Sequence, residues 1–137
     1  MLRHLTNQDI LFSAAKSDGA VRALVSLLCD RGHECWVDAY VVAEARRNLA
    51  SKGPQAVQVL QALLGRLQIA PAALVTGAAV ELDWLPPKDR PVLAAAIRLG
   101  CDALVTGDRK HFGSAYGQQV GGVTIHSPRS LAEAVLG

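Results

Sequence analysis

The stretch PKDRPVLAAAIRLGCDALVTGDRKHF, Pro87–Phe112, decides the fold. Its first half is an Ala-rich helix opened by a proline-tolerant turn and stopped by Gly100. Its second half, Ala103–Thr106, is short, apolar and β-branched, the signature of a strand buried on both faces. A helix that leads directly into a buried strand implies a βαβ unit, and hence a parallel sheet. In an open sheet of that kind, ligands bind outside the carboxyl ends of the strands. Asp108 follows the strand and falls at that edge. Asp102 precedes it and, at about 3.3 Å per residue, lies roughly 15–20 Å away at the opposite edge. Asp102 is therefore expected to be structural, and Asp108 is a site candidate as well as a turn and cap residue.

The same alternation runs through the rest of the chain. Leu2–Thr6 reads as a strand and Ile10–Ala15 as a first helical turn, broken at Asp18 and Gly19. Val21–Arg31 is helical, with Val21, Leu24, Val25 and Leu28 on one face and Gly32 as its stop. Glu34–Val37 is a strand, Asp38 an N-cap for helix Ala39–Ala50, Gln55–Leu67 a further helix and Gln68–Ala70 a strand. Pro71–Leu85 carries no readable pattern beyond the turn forced by Pro86-Pro87. Val123–His126 is a strand after the Gly121-Gly122 turn, and Ser127-Pro128 starts helix Arg129–Leu136.

The chain has 137 residues, of which 50% are hydrophobic, 19% charged and 4% aromatic. One domain spanning 1–137 is expected, with a core of Ala, Leu and Val. The composition excludes disorder as the dominant state. Fourteen basic residues stand against twelve acidic ones, so nucleic acid would have to be bound at a local site and not by bulk charge. Cys29, Cys35 and Cys101 are a poor disulfide framework, and Cys29, His33 and Cys35 lack a fourth metal ligand. No apolar run reaches membrane-spanning length, and a reduced, cytoplasmic chain is expected.

The acidic residues sort by context. Asp89 shares a helix face with Leu93, Ala96 and Ile97, so this carboxylate heads an apolar stripe, either as a cap for amides near Val92 or as part of a cleft. Glu44 borders the core stripe Val41, Ala45 and Leu49; it either lines a cleft or pairs with Arg47 at i+3. Asn7 and Asp9 fall where the first strand passes into the first helix. Four segments distant in sequence thus bring an acid or amide to one sheet edge. Converging carboxylates repel unless a cation compensates them, and hard oxygen ligands select Mg²⁺ or Mn²⁺. Carboxylate-held Mg²⁺ is apparatus for phosphoryl transfer. Arg109, Lys110 and His111 follow Asp108, and Arg90 follows Asp89; these bases fit either a cleft rim that contacts phosphates or a solvated surface, and metal-bound water makes His111 unnecessary as a proton donor. Ser13 and Thr106 are polar groups at the same edge, suited to hold a ligand or to cap a helix.

These motifs resemble the PIN-domain family of small metal-dependent ribonucleases, which includes VapC-type toxins. The resemblance rests on residues 7–14 (NQDILFSA), 42–49 (VAEARRNL), 88–96 (KDRPVLAAA) and 104–112 (LVTGDRKHF), and runs over nearly the whole chain. It implies a three-layer α/β/α sandwich around a short, mainly parallel sheet. It further implies RNA phosphodiester hydrolysis with Mg²⁺ or Mn²⁺, giving a 5′-phosphate and a 3′-hydroxyl. Glu44, Asp89 and Asp108, with a residue of the first motif, would hold the metal. Family members usually read Asp-x-Asn in that motif. Here Asn7 and Asp9 are exchanged, so either Asn7 offers a neutral carbonyl or Asp9 supplies the charge. On extended backbone the two side chains share a face; if the helix begins at Gln8 they diverge. The partners implied are RNA, an antitoxin protein and a second copy of the chain, with Leu24, Leu27 and Leu28 or the Gln55–Leu67 helix as dimer surface or as core. A non-catalytic RNA- or protein-binding module on the same fold is the alternative that the Asn7/Asp9 exchange suggests. A small-molecule domain of flavodoxin type is disfavoured by the absence of a glycine-rich phosphate loop after the first strand.

Overall fold

The computed structural model describes residues 2–71 and 82–136. Residues 72–81, within the stretch that the sequence leaves unread, lie outside the described residues.

The elements follow the βα alternation. Strand β1 (Arg3–Thr6) leads into helices α1 (Gln8–Lys16) and α2 (Ala20–Asp30). Strand β2 (Glu34–Asp38) leads into α3 (Ala39–Ala50) and α4 (Pro54–Leu64), and β3 (Gln68–Ala70) follows. Helix α5 (Arg90–Arg98) precedes β4 (Ala103–Val105), then α6 (Arg109–Phe112) and a 3₁₀ turn, Gly113–Ala115. Strands β5 (Gln119–Val120) and β6 (Val123–His126) and helix α7 (Pro128–Leu136) complete it. The strand order is β3-β2-β1-β4-β6-β5. Every pairing is parallel except β5 with β6. With helices flanking this sheet, the architecture is the expected α/β/α sandwich.

Local chemistry explains the boundaries. Asp38 accepts a hydrogen bond from the Tyr40 amide at 2.7 Å and caps α3 as expected. Gly32 and Gly100, read as helix stops, take φ of 83° and 66°, which side-chain-bearing residues rarely adopt. Helix α1 begins at Gln8, two residues before the expected start, because the Asn7 side chain caps it. Helix α4 ends at Leu64, not Leu67, where Gly65 weakens further propagation; Leu67 is still buried. The short strand β5 was not foreseen. Gly121 and Gly122, at φ 56° and 86°, form a two-residue hairpin turn that folds Val120 back on Val123.

The core is aliphatic, as the composition requires. Leu5, Val37, Leu93, Leu104 and Ile125 are fully buried along the sheet and its flanking helices. Leu24 and Leu28 belong to this core, whereas Leu27 is exposed. The sequence runs outward from β1 to β3 on one side, and from β4 to β6 and β5 on the other. The crevice between β1 and β4 is therefore where the chain changes direction, the place where open α/β sheets bind ligands.

Candidate metal centre

Register places the first two polar residues of the crevice side by side. Thr6 pairs with Val105, so Asn7 and Thr106 leave adjacent strands together. The Thr106 hydroxyl accepts from Asn7 Nδ2 (3.0 Å) and from the Asp108 amide (3.1 Å), and donates to Asp9 Oδ1 (3.1 Å). One donor and two acceptor sites are all that a hydroxyl offers, so this one is saturated. Thr106 is wholly buried, and its carbonyl accepts from the Tyr116 hydroxyl at 2.7 Å.

The helix start at Gln8 separates Asn7 from Asp9 along the chain, yet both reach the same hydroxyl. Asn7 Oδ1 is engaged by the Gln8 amide at 2.8 Å as the cap of α1. Asp9 Oδ2 accepts from the Gly107 amide at 2.5 Å. Burial raises the Asp9 carboxyl above its ordinary range, and the Gly107 and Thr106 hydrogen bonds oppose that shift. The fit at Gly107 is close, since a Cβ there would lie 2.7 Å from Asp9 Oδ2.

A second group forms beside the first. Asp108 caps α6, its Oδ1 accepting from the His111 amide at 3.2 Å. Its Oδ2 lies 2.8 Å from His111 Nδ1, and Asp89 Oδ2 lies 2.9 Å from the same nitrogen. Asp89 makes no side-chain cap; its backbone is already near-helical (φ −97°, ψ −14°), not in the extended conformation that capping needs. Of the cap and cleft roles open to Asp89, the structure adopts the cleft. Asp89, Asp108 and His111 each present a ligand atom within 4.8 Å of the others. Despite these short distances, Asp89 Oδ2 and His111 Nδ1 are buried without an aligned hydrogen bond among the described residues. These two orphaned atoms, one anionic and one basic, with the Asp108 carboxylate beside them, fit a cation.

The remaining expected site residues are arranged around these groups. Glu44 pairs with Arg47 at 2.6 Å, and Arg47 is 70% exposed. Arg47 and Asn48 line a groove with Gln8, Asp9, Phe12, Ser51 and Lys52, so the Glu44 helix meets the first motif there. Ser13 lies half-buried on α1, one turn beyond Asp9, with no side-chain hydrogen bond among the described residues. Arg109 and Lys110 are exposed and make no ion pair among the described residues. Arg90 is placed differently from a rim contact: its Nε donates to the carbonyls of Leu82 (3.0 Å) and Leu85 (2.9 Å), tying that turn to α5. His111, expected only as a base at the rim, enters the cluster itself, and Tyr116 was not singled out for the site. The i+3 spacing from Asp108 was a usable signal for His111. Tyr116 had none.

A sequence model described as PIN domain matches residues 7–110. No curated protein matches the chain. Among solved structures, a chain of the crystal structure of VapBC2 from Rickettsia felis, bound to a DNA fragment from their promoter, superposes with a TM-score of 0.63. It is 17% identical, and the alignment covers 92% of this chain and 98% of that one. That likeness is one of fold.

Proposed function

Because the chain belongs to the PIN-domain family, we propose that it is a Mg²⁺- or Mn²⁺-dependent endoribonuclease, the toxin of a toxin–antitoxin pair. The observation that carries this reading is the convergence of Asp89, Asp108 and His111 at the β1/β4 crevice, beside Asp9. Asp89 and Asp108 hold the cation, with His111 adjoining. A bound divalent cation there neutralises the carboxylates, polarises the phosphodiester and lowers the pKa of an attacking water. Asp9 supports this arrangement from behind: through Gly107 and Thr106 it orders the turn from which Asp108 projects. Glu44 joins them from α3, and its partner Arg47 brings a cation for phosphate. Arg47 and Lys52 along the groove, and Arg109 and Lys110 at the rim, position the RNA backbone. Ser13, on the α1 face leading from Asp9, contacts substrate. An antitoxin partner is supported by the VapBC likeness, and a homodimer by the family alone.

The test is cleavage of mixed single-stranded RNA with Mn²⁺ by wild type and Asp108→Asn. Asparagine keeps the α6 cap while removing the charge, so loss of cleavage with an unchanged fold is expected. Equal activity in both would sink the proposal.

One observation favours a second reading, a non-catalytic RNA- or protein-binding module. The Asn7 carbonyl oxygen already accepts from the Gln8 amide of its own helix, so that position brings no charge and only one lone pair to spare. Under this reading wild type is inert, binds no Mn²⁺ at millimolar concentration, and gains nothing from Asn7→Asp.

A further inference from the structure

We infer that His111 is itself a metal ligand in this chain, and that its nitrogen tunes the site toward Mn²⁺ and later first-row transition metals over Mg²⁺. The inference rests on the reading that the Asp89–Asp108 pair holds a divalent cation.

Three observations carry it. The His111 Nδ1 atom faces both carboxylates at once, 2.8 Å from Asp108 Oδ2 and 2.9 Å from Asp89 Oδ2. A single hydrogen on that nitrogen could serve only one oxygen, and neither oxygen is aligned to receive it. The backbone that carries the ring is also anchored. His111 lies in the short helix that Asp108 caps, and it is directly followed by Phe112, which is fully buried. The short helix that presents this nitrogen to the oxygens is thus anchored by buried Phe112 as well as by the Asp108 cap. Mg²⁺ prefers an all-oxygen shell, whereas imidazole favours borderline transition metals. Two carboxylates and one imidazole form the mixed set that discriminates between them.

Pulsed electron paramagnetic resonance on Mn²⁺ added to the metal-stripped protein tests this directly. Wild type is expected to show ¹⁴N modulation of the manganese echo. His111→Asn is expected to lose it, with Mn²⁺ affinity falling about tenfold or more and Mg²⁺ affinity changing far less. Zn²⁺ is expected to displace Mn²⁺ at concentrations where Mg²⁺ does not. Histidine-selective ¹⁵N labelling of wild type replaces the ¹⁴N pattern by a ¹⁵N one, and needs no variant to fold. Bound Mn²⁺ without nitrogen modulation overturns the inference and leaves the nuclease reading standing. Modulation that persists in His111→Asn overturns it too, by assigning another histidine. Failure of wild type to bind Mn²⁺ at all overturns the inference and the metal-dependent reading together.

Discussion

Asp102 and Asp108 flank the same buried strand and are neutralised in opposite ways. Asp102, at the amino end of β4, accepts from the Arg3 amide at 2.8 Å, and the Arg3 guanidinium beside it donates to the Leu99 carbonyl and pairs with Glu34. That amide and the solvent around this exposed carboxylate satisfy it. Asp108, at the carboxyl end, shares one histidine nitrogen with Asp89, and that arrangement leaves polar atoms without aligned partners. The exposed Asp102 carboxylate needs no ligand, while the cluster at the carboxyl edge is open to one. The contrast separates a carboxylate at ease in solvent from one that the proposed function assigns to chemistry.

Paired substitutions sharpen this contrast most strongly. Asp108→Asn is expected to lower RNA cleavage by at least about 100-fold, with little change in melting temperature. Asp102→Asn is expected to leave cleavage unchanged and cost at most about 1 kcal/mol. Comparable activity losses in both would erase the distinction between the two edges.

The amino edge does hold one unsatisfied group, and it makes the next largest effect. His4 is fully buried, its Nε2 3.1 Å from His33 Nδ1, while its Nδ1 has no partner. Burial first, and then His33, lower its pKa to about 4. The unfolded chain therefore takes up this proton more readily than the folded one. Stability is full above about pH 6.5 and falls as pH drops toward 4, by roughly 2 kcal/mol from this residue. Urea midpoints at pH 7 and pH 4.5 should converge more closely in His4→Leu than in wild type. Identical pH dependence in the two would remove His4 from the account.

At the carboxyl edge, Thr106→Val strips partners from Asn7, Asp9 and the Asp108 amide, at an expected cost of about 2 kcal/mol in urea unfolding; Thr106→Ser should restore most of it. Gly107→Ala, which drives a methyl against Asp9, is expected to cost about 1 kcal/mol in thermal unfolding. Arg47→Ala should change stability by only about 0.3 kcal/mol, since the pair with Glu44 is largely solvated, while weakening RNA binding in a filter assay.

Much of this was legible in the sequence, for reasons that differ by residue. Asp38 as a cap, Gly32 and Gly100 as stops and Asp108 beyond a buried strand follow from local chemistry, which short stretches encode fully. Asp89 at the head of an apolar stripe was equally readable; its choice between cap and cleft was not, because that depends on a histidine 22 residues later. The β5–β6 hairpin was signalled by Gly121-Gly122 but was taken only as a turn, since two residues give no strand periodicity. The saturation of Thr106 is invisible to any local pattern, as two of its three partners lie nearly one hundred residues away.

That separation also orders events during synthesis. Asn7 and Asp9 leave the ribosome early, but the hydroxyl that organises them is on residue 106, and the acid and imidazole that complete the cluster are on 108 and 111. A nascent chain halted anywhere before β4 carries half a crevice with nothing to close it. Under the proposed function, a product truncated before β4 lacks the second half of its site by topology alone.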